Sequence, residues 1–216
     1  MSQATAIPAH EVGSHGHAHD ESAQHHPIYD YDSGPPVDRA KFAIWLFLAT
    51  EVMFFTGLIG TYLVLRIGTI SWPNPEFRLN VPVTAANTFL LITSSWTMVR
   101  ALHSIQKGNQ KGLVRWLGCT ILGGAMFVSV QVYEYLELIH HGSLPKVDIF
   151  WTTFYTMTGF HGLHVIVGVI WLIAIWIAAV RGKFTAQNYL RVELAGLYWH
   201  FVDLVWVLLF TIVYLM

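Results

Sequence analysis

Charge is scarce in this chain. Asp, Glu, Lys and Arg make up 12% of its 216 residues, about half of the roughly 25% usual in a soluble domain. Neither sign prevails: 12 basic against 13 acidic residues leave a formal net charge of -1, which excludes a bulk electrostatic attraction to nucleic acid. A single cysteine, Cys119, lies inside an apolar run and excludes a disulfide framework within the chain. No secretory signal pattern is visible, because residues 1–41 are polar and lack an apolar centre. The first apolar segment is therefore expected to direct insertion itself. No internal repeat is apparent, which argues against an inverted-repeat transporter. What is abundant is apolar surface: 54% hydrophobic residues, 9 Trp, 13 Phe and a mean hydropathy of +0.49. These proportions predict an all-α, polytopic membrane protein.

Two regions differ in composition. Residues 1–38 hold six of the twelve histidines among Gly, Ala, Ser, Asp and Pro, a mixture that cannot build a core and is expected to be disordered. The alternation of His15, His17 and His19 fits weak divalent-metal binding, and it fits equally a solvated polar tail. Residues 39–216 carry five apolar runs, at about 42–65, 84–102, 116–138, 150–180 and 194–215. Each is long enough, at 1.5 Å per residue, to cross a hydrocarbon layer of about 30 Å. Turns at 72–75 (WPNP) and 142–145 (GSLP) predict a bundle in which consecutive helices are antiparallel neighbours. Arg39, Lys41, Arg100, Lys107, Lys111, Arg115, Arg181, Lys183 and Arg191 fall on one side of the spans; Arg66, Arg78 and Lys146 fall on the other. This bias predicts a cytoplasmic N-terminus and a periplasmic C-terminus.

Ionisable groups inside hydrocarbon are costly and need an explanation. Glu51 lies near the middle of the first run. As a structural group it is a carboxylic acid hydrogen-bonded within the bundle; as a functional group it is a step in a proton relay. Glu134 and Glu137 lie near one end of the third run. His161 and His164, three residues apart in the fourth run, are expected on one helical face. His200 and Asp203, also three apart, sit between Trp199 and Trp206 in the fifth. These four groups are suitable metal ligands, and they are equally suited to interhelical hydrogen bonds. Gly159, Gly162 and Gly168 favour close helix approach. Arg100, His103 and Arg115 fit a lipid head-group pocket or a plain charge cluster. A proton or ion transporter would need a continuous polar path, which the apolar inner halves of the second and fourth runs do not offer.

Several of these segments resemble a known family. TGFHGLHVIVGVIW (158–171) and YWHFVDLVW (198–206) are similar to the two signature segments of subunit III of haem-copper terminal oxidases. WLFLATEVMFF (45–55) resembles that family's segment around a buried, carbodiimide-reactive glutamate, which falls on Glu51, and VQVYEYLE (130–137) resembles a further motif containing Glu134. The resemblance runs from about Asp38 to the C-terminus. Many members have seven spans, and this chain matches the last five, as in short bacterial versions.

The resemblance implies a chain with no haem and no copper of its own, those cofactors belonging to partner subunits I and II, with subunit IV or a larger assembly as further partners. It implies packing on subunit I, phospholipid binding, and support of proton uptake and active-site durability in a bacterial plasma membrane. The catalytic set on this chain is then empty, and Glu134, His161, His164, His200, Asp203, Trp199 and Trp206 serve packing. EVMFF is nearer the cytochrome c branch and FTIVYLM nearer the quinol branch; the expectation is a cytochrome c oxidase, the alternative a quinol oxidase, and the further alternative a small proton or ion transporter.

Overall fold

Long apolar runs become helices here, and capping groups decide where each stops. The computed structural model describes residues 39–70, 72, 80–143 and 148–215, all within the compact unit Val37–Met216. The segment 1–38, with His15, His17 and His19, lies outside the described residues. The helices are α1 (Arg39–Gly68), α2 (Val81–Gln106), α3 (Gln110–His140), α4 (Ile149–Val180) and α5 (Leu190–Phe210), the last continuing as a π-helical turn, Thr211–Leu215. Among the described residues the only bridge between extended segments joins Thr185 and Asn188.

The helices begin before and end after several of the apolar runs. Asn109 accepts a hydrogen bond from the Gly112 N–H (2.9 Å) and starts α3 at Gln110, and Asp148 accepts from the Phe150 N–H to start α4. Such caps satisfy otherwise orphaned amide donors. Gly108, Gly142 and Gly182 follow the ends of α2, α3 and α4 with φ of 72°, 76° and 71°. That left-handed conformation suits glycine and closes the helix with a bond back to its last turn, as from the Asn109 N–H to the Ser104 carbonyl (2.9 Å).

Among the described residues four stretches are long and apolar enough to cross a membrane: α1, α3, α4 and Leu190–Leu215. The fifth helix, α2, has the length, at 26 residues, but lacks the apolarity. Its composition is polar because its interior face is polar: Thr84, Asn87, Thr88, Ser94, Ser95 and Thr97 are buried, whereas Phe89 is 72% exposed. The molecule is inside-out in this sense, with apolar side chains such as Leu204 (68% exposed) turned outward. This polar face also corrects the expectation that the inner half of α2 is apolar.

Helices α2, α3, α4 and α5 close a cycle of contacts, each packing on the next and α5 returning to α2. The expected pairing of α1 with α2 is not the main contact, since α1 packs on α5 and α4 instead. The twelve residues 69–80 explain this: at about 3.3 Å each they can reach roughly 40 Å, far more than a tight turn. Inside the cycle lie Phe127, Trp199 and Trp206, each almost fully buried. Close approach is bought by glycine at two places on the Trp199 ring. A Cβ at Gly124 would sit 2.5 Å from Trp199 Cη2, and one at Gly168 would sit 3.1 Å from the same indole.

Candidate functional site

The acidic and imidazole groups separate into two clusters. The first joins α1 to α4. His164 Nε2 lies 3.0 Å from Glu51 Oε2, and His164 Nδ1 lies 2.7 Å from the Phe160 carbonyl oxygen. A carbonyl only accepts, so Nδ1 must donate. Nε2 and the carboxyl group therefore share one proton, whichever atom carries it. Phe55 stands edge-on to the imidazole at 5.1 Å, and Phe54 packs against Phe160 at 5.2 Å. Tyr198 of α5 donates its hydroxyl to the His164 carbonyl (3.1 Å). The side chains of His164 and Glu51 retain 16% and 19% exposure, so the pair sits at the edge of the bundle rather than in its core.

The second cluster joins α2 to α5. His200 Nδ1 lies 2.5 Å from Ser95 Oγ. Asp203, three residues further along α5, has its Oδ1 buried with no hydrogen-bond partner among the described residues. Two tryptophans frame this layer. Trp199 Nε1 donates to Ser94 Oγ (3.1 Å) and Trp206 Nε1 donates to Thr88 Oγ1 (2.9 Å).

His161 belongs to neither cluster. It is fully buried, stacked on Trp206 at 4.8 Å and edge-on to Phe127 at 6.0 Å, and neither ring nitrogen has a hydrogen-bond partner among the described residues. The two α4 histidines thus do not share a surface. Three residues advance a helix by about 300°, which leaves roughly 60° between them and directs them to different neighbours. Glu134 accepts from Thr84 Oγ1 (2.6 Å), tying α3 to α2. One turn earlier Gln131 donates to the Thr158 carbonyl (3.0 Å). The absent side chain of Gly162 leaves room for that carboxamide, since a Cβ there would lie 3.2 Å from Gln131 Oε1.

Arg100, His103 and Arg115 do not converge. The Arg100 guanidinium lies over an edge-to-face pair of indoles, Trp96 (5.9 Å) and Trp116 (5.4 Å), whose rings are 5.5 Å apart. Arg115 instead lines a recess of about 610 Å³ with Lys111, Val114 and Val180, floored by a hydrogen bond from Gln110 to the Ala179 carbonyl. His103 is exposed and lines neither. Among the described residues no three His, Cys, Asp or Glu side chains are grouped closely enough to hold a metal ion. Sequence reasoning missed Ser95, Thr88, Tyr198 and the Lys41–Glu193 ion pair (2.7 Å). The Ser/Thr content of α2 was the available signal for the first two, because buried hydroxyls in an otherwise apolar layer need partners on neighbouring helices.

Comparison with known proteins bears on what these clusters serve. The chain is 39% identical over 179 residues to cytochrome c oxidase subunit 3 of Bacillus sp. (strain PS3), covering 82% of this chain and 86% of that one. It is 35% identical over 209 residues to cytochrome bo(3) ubiquinol oxidase subunit 3 of Pseudomonas aeruginosa, covering 96% and 93%. Identity to quinol oxidase subunit 3 of Bacillus subtilis is 37% over 172 residues, covering 80% and 84%. Residues 34–216 match the family described as Cytochrome c oxidase subunit III. With that match over most of its length and relatives of this similarity, the chain belongs to the cytochrome c oxidase subunit III family of haem-copper terminal oxidases.

Proposed function

We propose that this chain is the accessory subunit of a cytochrome c oxidase in a bacterial plasma membrane, where it packs on subunit I and supports proton uptake during turnover. In this role α2 is the fifth transmembrane span, its polar face hidden by α3 and α5. The N-terminus is cytoplasmic and the C-terminus periplasmic, in keeping with the bias of the basic residues. The observation that carries the functional role is the Glu51–His164 pair, one proton shared across 3.0 Å at the edge of the bundle. A group that holds a proton where helices meet lipid or a neighbouring subunit is placed to pass it on. Arg100, resting on a pair of indoles, and Arg115, beside Lys111 in its recess, offer separate contacts to lipid phosphates at one end of the bundle. Glu134, His161, Trp199 and Trp206 serve packing.

Purification of the intact assembly through a tag on this chain tests the proposal. Haem bands should travel with the tagged chain in a reduced-minus-oxidised spectrum, and the preparation should oxidise ferrocytochrome c. Oxidation of a quinol alone would assign the assembly to the quinol branch. An assembly without haem would overturn the subunit role. Glu51→Gln should leave the haem spectrum intact while shortening the catalytic lifetime under turnover; an unchanged lifetime would remove Glu51 from the proton-handling role.

A further inference from the structure

Where α3 and α4 meet on the outside of the bundle, they leave a groove of about 220 Å³. Its rims are the exposed side chains of Val132, Leu163 and Ile166. Its bed exists because Gly159 and Gly162 have no side chains. Gly168, the third glycine of α4, is instead filled from the inside by Trp199. At the bottom of the groove lies Gln131, only 6% exposed. Its carboxamide has one possible orientation. Nε2 donates to the Thr158 carbonyl (3.0 Å) and to Tyr135 Oη (3.4 Å), and a carbonyl only accepts. Tyr135 in turn donates to Thr158 Oγ1 (2.6 Å), because the Thr158 hydrogen goes to the Phe154 carbonyl (2.6 Å). Every donor hydrogen of these three side chains is spent. What remains is Gln131 Oε1, which accepts no hydrogen bond from the described residues. It points into the space that a Gly162 side chain would fill, 3.2 Å from the Cβ position. An acceptor left unpaired in hydrocarbon is costly. Residue 125 is the middle of α3 (Gln110–His140), and Gln131 lies six residues beyond it, about 9 Å from the midplane of a layer centred on the helix. The hydrocarbon extends about 15 Å from the midplane, so the hydroxyl and amine donors of phospholipid head groups lie further out than this oxygen.

We propose that this groove binds a lipid-soluble phenol, hydroquinones included, whose ring lies on Gly159 and Gly162 and whose hydroxyl donates to Gln131 Oε1. Apolar walls with one placed polar atom are the usual make-up of a small-molecule site. The volume suits a single ring: an apolar cavity of about 150 Å³ takes benzene, and 220 Å³ leaves room for ring substituents. An acyl chain would fill the same space but brings no donor to this depth. A neighbouring helix would need a flat stripe of small residues along α4, whereas beyond Gly162 the same face continues as the exposed Ile166 and Ile170. The hydrogen-bond accounting also sets specificity. A quinone or an aryl ether only accepts, so it meets Oε1 as a second acceptor, and the groove prefers the form that carries the hydroxyl. The site is independent of the role assigned to Glu51.

Photolabelling of the native assembly in lipid nanodiscs tests it. The probe is p-decylphenol with a diazirine in its alkyl chain, and the labelled peptides are mapped by mass spectrometry. Label should accumulate saturably on residues 128–135 and 159–166. Unmodified p-decylphenol should displace it, and p-decylanisole, its methyl ether, should need about fivefold more, as expected for one hydrogen bond. Gln131→Met removes the acceptor at similar volume; it should weaken displacement by the phenol about fivefold and erase the preference over the ether. Gly159→Leu fills the groove from a position where a Cβ meets only Tyr135 Oη, at 3.9 Å, and should abolish the saturable label while thermal unfolding stays native. Three results would overturn the site: no saturable label on these two segments, equal displacement by phenol and ether in the unsubstituted protein, or full labelling of Gly159→Leu.

Discussion

Glu51–His164 and Ser95–His200 each set an imidazole against a polar group of another helix, yet they are built differently. The first pair is direct, edge-located and wrapped by Phe54, Phe55 and Phe160. Its imidazole is committed at both nitrogens, so the only mobile proton is the one shared with the carboxyl group. The second is a serine–imidazole contact between α2 and α5 beside a recess, and Asp203, three residues on, keeps one buried oxygen with no partner among the described residues. A closed pair holds helices in register and keeps a proton in place. Next to His200 in the chain, Trp199 forms a wall buried against α3 and α4. Breaking that wall, then each cluster in turn, separates their contributions.

The largest effect is expected at the wall. Gly124→Leu forces atoms into a space where even a Cβ would lie 2.5 Å from Trp199, and the rigid indole has no alternative position inside the cycle. Overpacking of this kind costs about 3 kcal/mol. Unfolding in detergent micelles should report that loss, together with release of the chain from its assembly. Retention of native stability would mean that α3 and α5 can separate without consequence.

Next comes Ser95→Ala, which strips the hydroxyl from His200 Nδ1 and leaves that nitrogen without its partner on α2. A buried polar group deprived of its partner costs about 2 kcal/mol, and the same unfolding measurement reads it. Ser95→Thr, which keeps the hydroxyl, should recover most of that loss. At the edge pair the effect is smaller. His164→Phe should cost about 1 kcal/mol, in line with intramembrane hydrogen bonds of roughly 0.6–1.7 kcal/mol, because Glu51 retains some exposure. Glu51→Gln should cost less still, since the amide can donate to Nε2 in place of the shared proton. Stability and proton handling therefore come apart at the edge pair.

Much of this architecture was legible in the chain, and the residues show why the rest was not. The first, third, fourth and fifth apolar runs mark helices because no other structure satisfies backbone polar groups in hydrocarbon. Their ends were less legible, since Asn109 and Asp148 set them through local capping bonds that an apolar count does not register. The second run was readable in length but misread in character: Ser94, Ser95 and Thr97 face inward, where the order of residues along the chain says nothing about which helix meets them. The pairing of Glu51 with His164 crosses 113 positions and depends on α1 passing over α2 to reach α4. That in turn depends on the length of 69–80. The expectation of a common face for His161 and His164 failed on a rotation of about 60°, small along one helix and decisive where three helices meet.

The smallest predicted effect lies at the ion pair between α1 and α5. Lys41 and Glu193 stand 2.7 Å apart but keep 36% and 26% side-chain exposure. Water screens such a pair, and holding two long side chains in one geometry costs entropy, so its worth is about 0.2–1 kcal/mol. Single substitutions would mix this with other contacts of Lys41. A double-mutant cycle with Lys41→Ala and Glu193→Ala isolates the pair. The coupling should shrink as salt is raised past about 0.15 M, where the screening length falls to roughly 8 Å. A salt-independent coupling well above 1 kcal/mol would mean that this ion pair is sealed from solvent and resembles the closed Glu51–His164 pair after all.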